Sequence, residues 1–511
     1  MSTHVPVIIG VGEVTNIANG ADNLWSPKKL MVDAALDAAA DCGSEKILAS
    51  LGHIVAMRLF ADFTKNFGSE FGTPTNVPWS VATALGANDA SLEYAESGGD
   101  VPQVALANAA ARIASGSVRS ALIVGAEAFR TDRRAARAGL TLDWREPGPP
   151  LQQAGSKADV FYSQDELKHG LNVPVAVYAM LDHVFRAKQS LSIEARSQAI
   201  ANTLARFAQV ARDTPLAVHK KGYSPGEIAA PTGDNRMIAT PYTKRMIAEP
   251  SVDLGAAILL CSEEYADELE IAADKRVYLH GHAHARDEWI VSERDNLAQS
   301  PAIRLAGAEA ARQAGIGLGD VAAFDIYSCF PSAVDIAAYE LGITGGDQRD
   351  LTVTGGLPFF GGPGNNYVTH AIAGMTRYLR QHRDRFGMVT ANGGGLTKHA
   401  VGIYSAKRPD AALLPFDAEA MQARVDQAWG SKADLSATPS GPAVIETYTI
   451  VYGREGPAKG IVFAREQSSG KRCIALLPSD PALLERLASI DLLGMRGIVT
   501  QSDGRNVFQP D

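Results

Sequence analysis

TANGGGLTKHAVGIYS, residues Thr390 to Ser405, is a glycine-rich turn set between two apolar runs. Phe386, Met388 and Val389 lead into it and Ala400 to Tyr404 follow it, so one strand is expected to end and another to begin there. Three consecutive glycines, Gly393 to Gly395, let backbone instead of side chain approach a neighbour closely. A tight β-turn would ask for nothing more. What sets this turn apart is Asn392 before the glycines, Lys398 and His399 after them, and two further glycine-rich stretches far away in sequence.

The first of those, Ser97-Gly98-Gly99-Asp100-Val101-Pro102-Gln103, follows a short strand at Leu92 to Ala95 and runs into an Ala-rich helix, Val104 to Ala114. Gly116 stops that helix and Ser120 to Val124 reads as a buried strand. This βαβ-type succession places backbone N–H groups at a helix N-terminus. Upstream, Val5 to Ile9 is a continuous apolar run suited to a sheet covered on both faces, Ser26-Pro27 opens a helix, and Ile54 to Leu59 is a strand candidate. Ala61 to Trp79, rich in Phe, Gly, Thr and Pro, reads as a loop over a site.

From Val277 the order of elements repeats: strand, helix Pro301 to Ala314, strand Ala322 to Ile326, helix Ala333 to Leu341, a glycine turn at Gly355 to Gly364, helix Tyr367 to Gln381, and then the opening stretch. The repetition predicts a duplicated α/β unit. Between the halves, Arg130 to Ala248 changes to charge-rich helices (Val173 to Lys188 and Ile193 to Asp213) and Pro/Gly loops, expected to form an inserted cap. Beyond an Ala/Asp/Pro/Ser-rich linker with one helix at Ala418 to Trp429, PAVIETYTIVYGREGPAKGIVFARE starts a series of short strands. Their close spacing predicts a small antiparallel barrel of the OB type. The expected units are 1–265 with the insert at about 130–250, 266–407, a linker at 408–440, and 441–511.

Composition narrows the function classes. A net charge of -9 without any basic block argues against a nucleic-acid partner. No stretch approaches the roughly 18 to 20 apolar residues of a membrane span, and the start, MSTHVPVIIGVGEV, lacks the basic head of a signal peptide. Cys42, Cys261, Cys329 and Cys473 show no C-x-x-C spacing, which fits a reducing, cytoplasmic setting. His280, His282 and His284 would share one strand face, a spacing that suits a metal, yet no fourth ligand suggests itself and a partly exposed face is expected. Asp132, Arg133, Arg134 and Arg137, with Lys220 and Lys221, read as solvated faces.

Taken together, the neighbourhoods of Gly99, Tyr327, Gly362 and Asn392 resemble the thiolase superfamily over nearly the whole chain to about Lys407. The resemblance is nearest to thiolase-like proteins of type 1, related to sterol-carrier-protein thiolases and carrying an additional C-terminal OB-like domain. It implies two βαβαβαββ halves in a five-layered αβαβα arrangement, an inserted loop domain, and a coenzyme A thioester site where the halves meet. It also implies correspondences. The family's nucleophilic cysteine falls at Gly99, its Gly-His-Pro at Gly361-Gly362-Pro363, and its Cys-x-Gly at Asn392-Gly393-Gly394. The family's Asn-Glu-Ala-Phe or His-Asp-Cys-Phe box falls at Tyr327-Ser328-Cys329-Phe330.

Covalent catalysis needs a nucleophile with a positioned base, and on these correspondences both are missing. Glycine supplies the same backbone amide as cysteine, so Gly99 and Gly394 are expected to form an oxyanion hole for a thioester carbonyl. His399, Tyr327 and Asn392 are the candidates for proton handling. Asp100, Gln103, Ser328, Cys329, Gly362, Asn365, Asn366, Gly393 and Lys398 are the candidates for binding substrate. The expectation is a protein that binds an acyl-CoA and acts on it without an acyl-cysteine. The alternatives are a non-catalytic acyl-CoA or lipid carrier and a retro-aldol lyase on a β-hydroxyacyl-CoA. No cofactor is expected beyond the coenzyme A thioester as substrate or ligand; a homodimer is compatible with the resemblance.

Overall fold

The computed structural model describes residues 4–17, 23–62, 68–151, 162–343, 346–410, 413 and 415–511. Its first sheet takes β1 (Pro6–Thr15), β2 (His53–Ala56), β3 (Ser91–Tyr94) and β4 (Ser120–Ala128). An insert contributes the short β5 (Met237–Ala239) and β6 (Tyr242–Thr243), after which β7 (Asp253–Ser262) returns to that sheet. The order is β1-β7-β4-β2-β3, with β7 antiparallel to both β1 and β4. The second sheet, from β8 (Tyr278–Arg286), β9 (Val321–Asp325), β10 (Phe386–Gly393) and β11 (Lys398–Ser405), runs β8-β11-β10-β9.

The two sheets follow one plan. In each, the last strand in the chain is antiparallel and lies between the first strand and the parallel ones. The second half's counterpart of β3 is irregular: Phe324 of β9 and Ile326 just beyond it donate to the carbonyls of Asp350 and Leu351, so the chain runs alongside without forming a full strand. Each half also seats its first helix on small residues. A Cβ at Gly10, Gly12 or Gly255 would strike the backbone of the Pro27–Cys42 helix, and one at Gly281 would strike the Pro301–Ala314 helix at Ala310. With Ala34, Ala35 and Ala38 buried on the first helix and Ala306 and Ala310 on the other, backbones approach closely enough to pack without voids.

The helices Val101–Ala114 and Tyr367–Gln381 touch both sheets and form the central layer, while Pro27–Cys42 and Val77–Leu85 cover one sheet from outside and Pro301–Ala314 the other. The result is the five-layered αβαβα arrangement. The central helix expected from Val104 begins earlier, at Val101, because Pro102 sits in its first turn, where its missing N–H costs nothing. Gly98, Gly99 and Asp100 therefore stand directly at its N-terminus.

The insert is helical, with Pro174–Lys188 and Ile193–Asp213 as its main members. The C-terminal strands β12 (Gly441–Tyr452), β13 (Pro457–Glu466), β14 (Arg472–Leu476), β15 (Arg496–Ser502) and β16 (Arg505–Pro510) close into a five-stranded barrel through the β12–β13 pairing. β5 of the insert pairs with the barrel at Ala239 and Val451. In the linker, the Ala418–Trp429 helix buries Met421 and Val425 against the second half, and Trp429 Nε1 donates to Asp287 Oδ1 at 2.9 Å. Residues 63–67 of the expected loop over the site, and 411, 412 and 414 of the linker, lie outside the described residues. No helix among the described residues is long and apolar enough to cross a membrane.

On the histidine face of β8 only His282 departs from the expected partial exposure. His282 is buried, and His280 and His284 are partly so, with rings against Phe386 and Phe416. Burial, with His284 beside it, pulls His282 down to about 4. Phe416, from the linker, is the cover that strand periodicity alone did not reveal.

Candidate functional site

The three glycine-rich turns meet at the N-terminus of the Val101–Ala114 helix. Gly98 N donates to Asn365 Oδ1 at 3.0 Å, and Asn365 Nδ2 donates to Arg58 O at 2.8 Å, which ties the first turn to the second. Gly98 takes a φ of 151°, a conformation that side chains disfavour. Asn366 Nδ2 donates to Gly125 O at 2.6 Å and its Oδ1 accepts from Thr369 Oγ1 at 2.7 Å. The amides of Asn365 and Asn366 are thus occupied, three of the four groups by backbone and the fourth by Thr369.

Gly99 faces the end of β10. A Cβ there would press into the Tyr327 hydroxyl oxygen and lie 2.5 Å from Asn392 O. A Cβ at Gly393 would strike Asp100. The 98–100 turn and the 392–394 turn are therefore in mutual contact, with the Tyr327 ring closing the space between them. At Gly362 the situation is different: the nearest atom to a Cβ would be Leu357 Cδ2 at 3.4 Å, so a side chain would fit. Gly362 N is taken by Glu249 O at 2.9 Å.

Charge gathers on the inner side of β11. Lys398 Nζ donates to Glu96 Oε1 and to Ser97 O, each at 2.9 Å, and lies 3.4 Å from Asp100 Oδ1 in an ion contact that misses hydrogen-bond geometry. Burial alone would lower Lys398, but Asp100 and Glu96 outweigh it and raise it, so the ammonium stays charged. Asp100 is held above the usual carboxylate range by its own burial, which Lys398 opposes and Glu96 reinforces. Further along the same face, Tyr404 donates to Gln103 Oε1 at 2.7 Å, and Gln103 Nε2 has no hydrogen-bond partner among the described residues.

Strand alternation sends Lys398 and His399 to opposite sides. Lys398, paired in register with Gly393, faces the central layer; His399, paired with Asn392, faces the outer one. His399 Nε2 lies 3.2 Å from Asp287 Oδ2, off the line of a hydrogen bond. The structure therefore does not bring His399 to the Gly99 turn beside Lys398 and Asp100. It borders a separate cavity of about 10 Å³, lined also by Tyr327, Thr390, Asn392 and Ile303, with room for about one water.

Tyr178, from the insert, was not singled out from sequence and holds the opening turn together. Its hydroxyl donates to Gly394 O at 2.9 Å, and it accepts from Leu396 N at 2.9 Å and from Asn392 Nδ2 at 2.8 Å. Asn392 Nδ2 also reaches Cys329 Sγ at 3.7 Å, leaving Asn392 Oδ1 without a partner among the described residues. Burial pushes the Cys329 thiol up to about 12, so it is no thiolate at neutral pH. Burial likewise holds Tyr327 well above its ordinary value, with Cys329 and Asp100 adding to it. Tyr327 N donates to Thr390 Oγ1 at 3.0 Å, and Ser328 Oγ accepts from Leu357 N at 3.0 Å. No group of three or more His, Cys, Asp or Glu among the described residues is arranged to hold a metal ion.

This architecture has counterparts among known proteins. A family model described as the thiolase-like protein type 1 additional C-terminal domain matches residues 420–505. The crystal structure of a monomeric SCP2-thiolase like protein type 1 from Mycobacterium smegmatis is 32% identical, covers 99% of this chain and 98% of its own, and superposes with a TM-score of 0.82. The chain belongs to the thiolase-like protein type 1 family. At lower identity the thiolase fold alone is shared. A Ltp2-ChsH2(DUF35) aldolase matches at 19% identity over 80% of this chain and 99% of its own, with a TM-score of 0.59. An acetyl-CoA acetyltransferase from Syntrophomonas wolfei matches at 16% identity over 80% and 100%, with a TM-score of 0.56. No curated protein sequence matches the chain.

For a thiolase-like chain, the point of interest is how the turns around Gly99 are packed. The contacts made by Tyr178, Glu96 and Asp287 had no local sequence signal, since each partner lies far away along the chain. Thr390, by contrast, stands in the opening stretch itself, two residues before Asn392 on the same strand face.

Proposed function

We propose that this protein binds a coenzyme A thioester where its two halves meet and acts on it without forming an acyl-enzyme. The observation that carries this reading is the filled space beside Gly99. Any side chain there, a cysteine included, would collide with the Tyr327 hydroxyl and the Asn392 carbonyl. Membership of a thiolase-like family supports the thioester as ligand. In this reading the amides of Gly99 and Gly394 face the thioester carbonyl oxygen, where two backbone donors stabilise an enolate or a tetrahedral centre.

The ionisable groups suit proton transfer more than nucleophilic attack. Tyr327, held protonated by its burial, is an acid. Asp100, raised by burial beside a charged Lys398, is the group able to accept a proton. Cleavage of the Cα–Cβ bond of a β-hydroxyacyl thioester uses both. Asp100 takes the hydroxyl proton, the Cα–Cβ electron pair passes to the carbonyl oxygen as an enolate, and Tyr327 returns a proton to Cα. The fold shared with an aldolase is consistent with that route. A second reading, binding without turnover, is favoured by the lack of a nucleophile with a base at the Gly99 turn, where Cys329 stays a thiol and His399 faces the outer layer.

A panel of β-keto- and β-hydroxyacyl-CoAs, with free CoA, remaining thioester and released aldehyde or ketone followed together with the intact protein mass, tests both readings. Turnover with an unmodified mass is the expected result. A mass increase by the acyl group would contradict the non-covalent reading, binding without turnover would leave the carrier, and no binding of any thioester would end both.

A further inference from the structure

We propose that the small cavity on the outer side of β10 and β11 binds one buried water that joins His399 to Asn392, and that through this water His399 positions the turn carrying Gly394. Asn392 and His399 stand directly opposite each other in the antiparallel pairing of the two strands, so their side chains are neighbours on one face. Both are buried, and both line the cavity of about 10 Å³. Each brings an atom with no hydrogen-bond partner among the described residues, Asn392 Oδ1 and His399 Nε2. Two neighbouring polar atoms of this kind at a space of one water's size are what a bridging water satisfies, and burying them unpaired is costly.

The surroundings steer His399 Nε2 to that water. Asp287 Oδ2 lies 3.2 Å away, but the carboxylate is already held: Oδ1 accepts from Ala302 N and Trp429 Nε1, each at 2.9 Å, and Oδ2 accepts from the Ser300 hydroxyl. It cannot turn into line with the imidazole without breaking these bonds. Its negative charge favours the N–H form at Nε2, from which a water accepts while donating to Asn392 Oδ1. Thr390 Oγ1, two residues from Asn392 on the same strand face, is the third partner; it accepts from Tyr327 N and has its own hydrogen to donate. Ile303, Ala333, Ala337 and Val401 make the facing wall apolar.

The water reaches the turn through Asn392. Asn392 Nδ2 donates to the Tyr178 hydroxyl, which donates to Gly394 O and accepts from Leu396 N. With Oδ1 bound as well, both ends of the Asn392 amide are fixed and it cannot rotate away from Tyr178. The turn is then braced by Tyr178 from the insert and by His399 from the second sheet. That Gly394 offers its amide to a thioester rests on the function proposed above; the water and its hold on the turn do not.

A crystal structure of the full chain, together with hydrogen–deuterium exchange over residues 390–397 of the ligand-free protein, tests this. The structure is expected to show one water within about 3.2 Å of both Asn392 Oδ1 and His399 Nε2. In His399→Phe, which keeps a ring without its nitrogens, exchange over the turn should rise about tenfold, the scale of one buried hydrogen bond. His399→Gln, whose amide reaches the same place, should restore the original rate. A cavity without water density in the unsubstituted protein would overturn the proposal whether or not either variant folds. Exchange in His399→Phe equal to that of the unsubstituted protein would overturn it too, as would a rise that His399→Gln does not reverse, which is the mark of a packing role alone. Failure of every thioester to bind, with these results as expected, would end the function proposed above and leave the water site standing.

Discussion

Gly99 is where the chemistry of the site is decided, and what decides it is space. The obstacle to a side chain includes a backbone carbonyl, Asn392 O, which no rotamer change can move. Gly99→Ala should therefore cost about 1 to 3 kcal/mol, the range for overpacking a filled core, read as a lowered urea midpoint. Replacing Tyr327 by Phe in the same chain should restore only part of it, because the carbonyl remains. Glu127 offers a second test at this scale. It is buried, accepts from Phe60 N at 2.8 Å, and is pushed up from 4.5 to about 8 by burial. Its folded pKa lies above its unfolded one, so the folded state holds the extra proton and this contribution to stability falls as pH rises from about 4.5 to about 8. Glu127→Gln should remove a slope worth on the order of a few kcal/mol across that window and be the more stable form at pH 8. Gly99 was found from sequence through family resemblance; Glu127 carried no signal, because burial of a strand carboxylate depends on what packs over it.

At the scale of elements, the β10–β11 hairpin and its turn organise the site. Its strands and turn were legible in TANGGGLTKHAVGIYS because apolar runs and a glycine triplet are local features. The placement of Lys398 and His399 was legible too, in principle. Neighbours on a strand point to opposite faces, so only one of them can join the Gly99 side, and the register with Gly393 makes it Lys398. What no local pattern could supply was Tyr178, over 200 residues away from the turn it binds. Tyr178→Phe strips a partner from Gly394 O, Leu396 N and Asn392 Nδ2 at once. With buried groups left unsatisfied, the loss should reach about 1 to 3 kcal/mol, measurable by urea unfolding, and should exceed that of a Tyr→Phe change at exposed Tyr339.

The whole molecule joins a duplicated α/β body, a helical insert and a closed barrel. The duplication could be read from the repeated order of elements, and the barrel from evenly spaced short strands. How the barrel docks could not, since β5, at three residues, is too short to show a period. Docking rests on β5 against β12, on Thr447 Oγ1 donating to Met180 O at 2.6 Å, and on His183 stacked over Tyr448 at 4.0 Å. It also rests on Arg472, fully buried, which donates to the carbonyls of Ser292 and Arg294 and pairs with Glu446. Glu446, a quarter exposed, keeps Arg465 as a partner without Arg472, so the loss is chiefly that of the buried hydrogen bonds to the Ser292 and Arg294 carbonyls, about 1 to 3 kcal/mol. Arg472→Met should accordingly lower the thermal midpoint and make the 441–511 barrel the first segment released by limited proteolysis. An unchanged digestion pattern would show that the other contacts suffice.

The central claim, that the turn backbones and not a covalent bond hold the thioester, is tested most directly by isotope-edited infrared spectroscopy of a carbonyl-labelled acyl-CoA bound to the full chain. Two amide donors at the carbonyl oxygen should shift its stretch to lower frequency on binding, with the label still present as a thioester. A stretch unchanged from free acyl-CoA, or replacement of the coenzyme A thioester band by that of a protein-bound acyl group, would contradict the account.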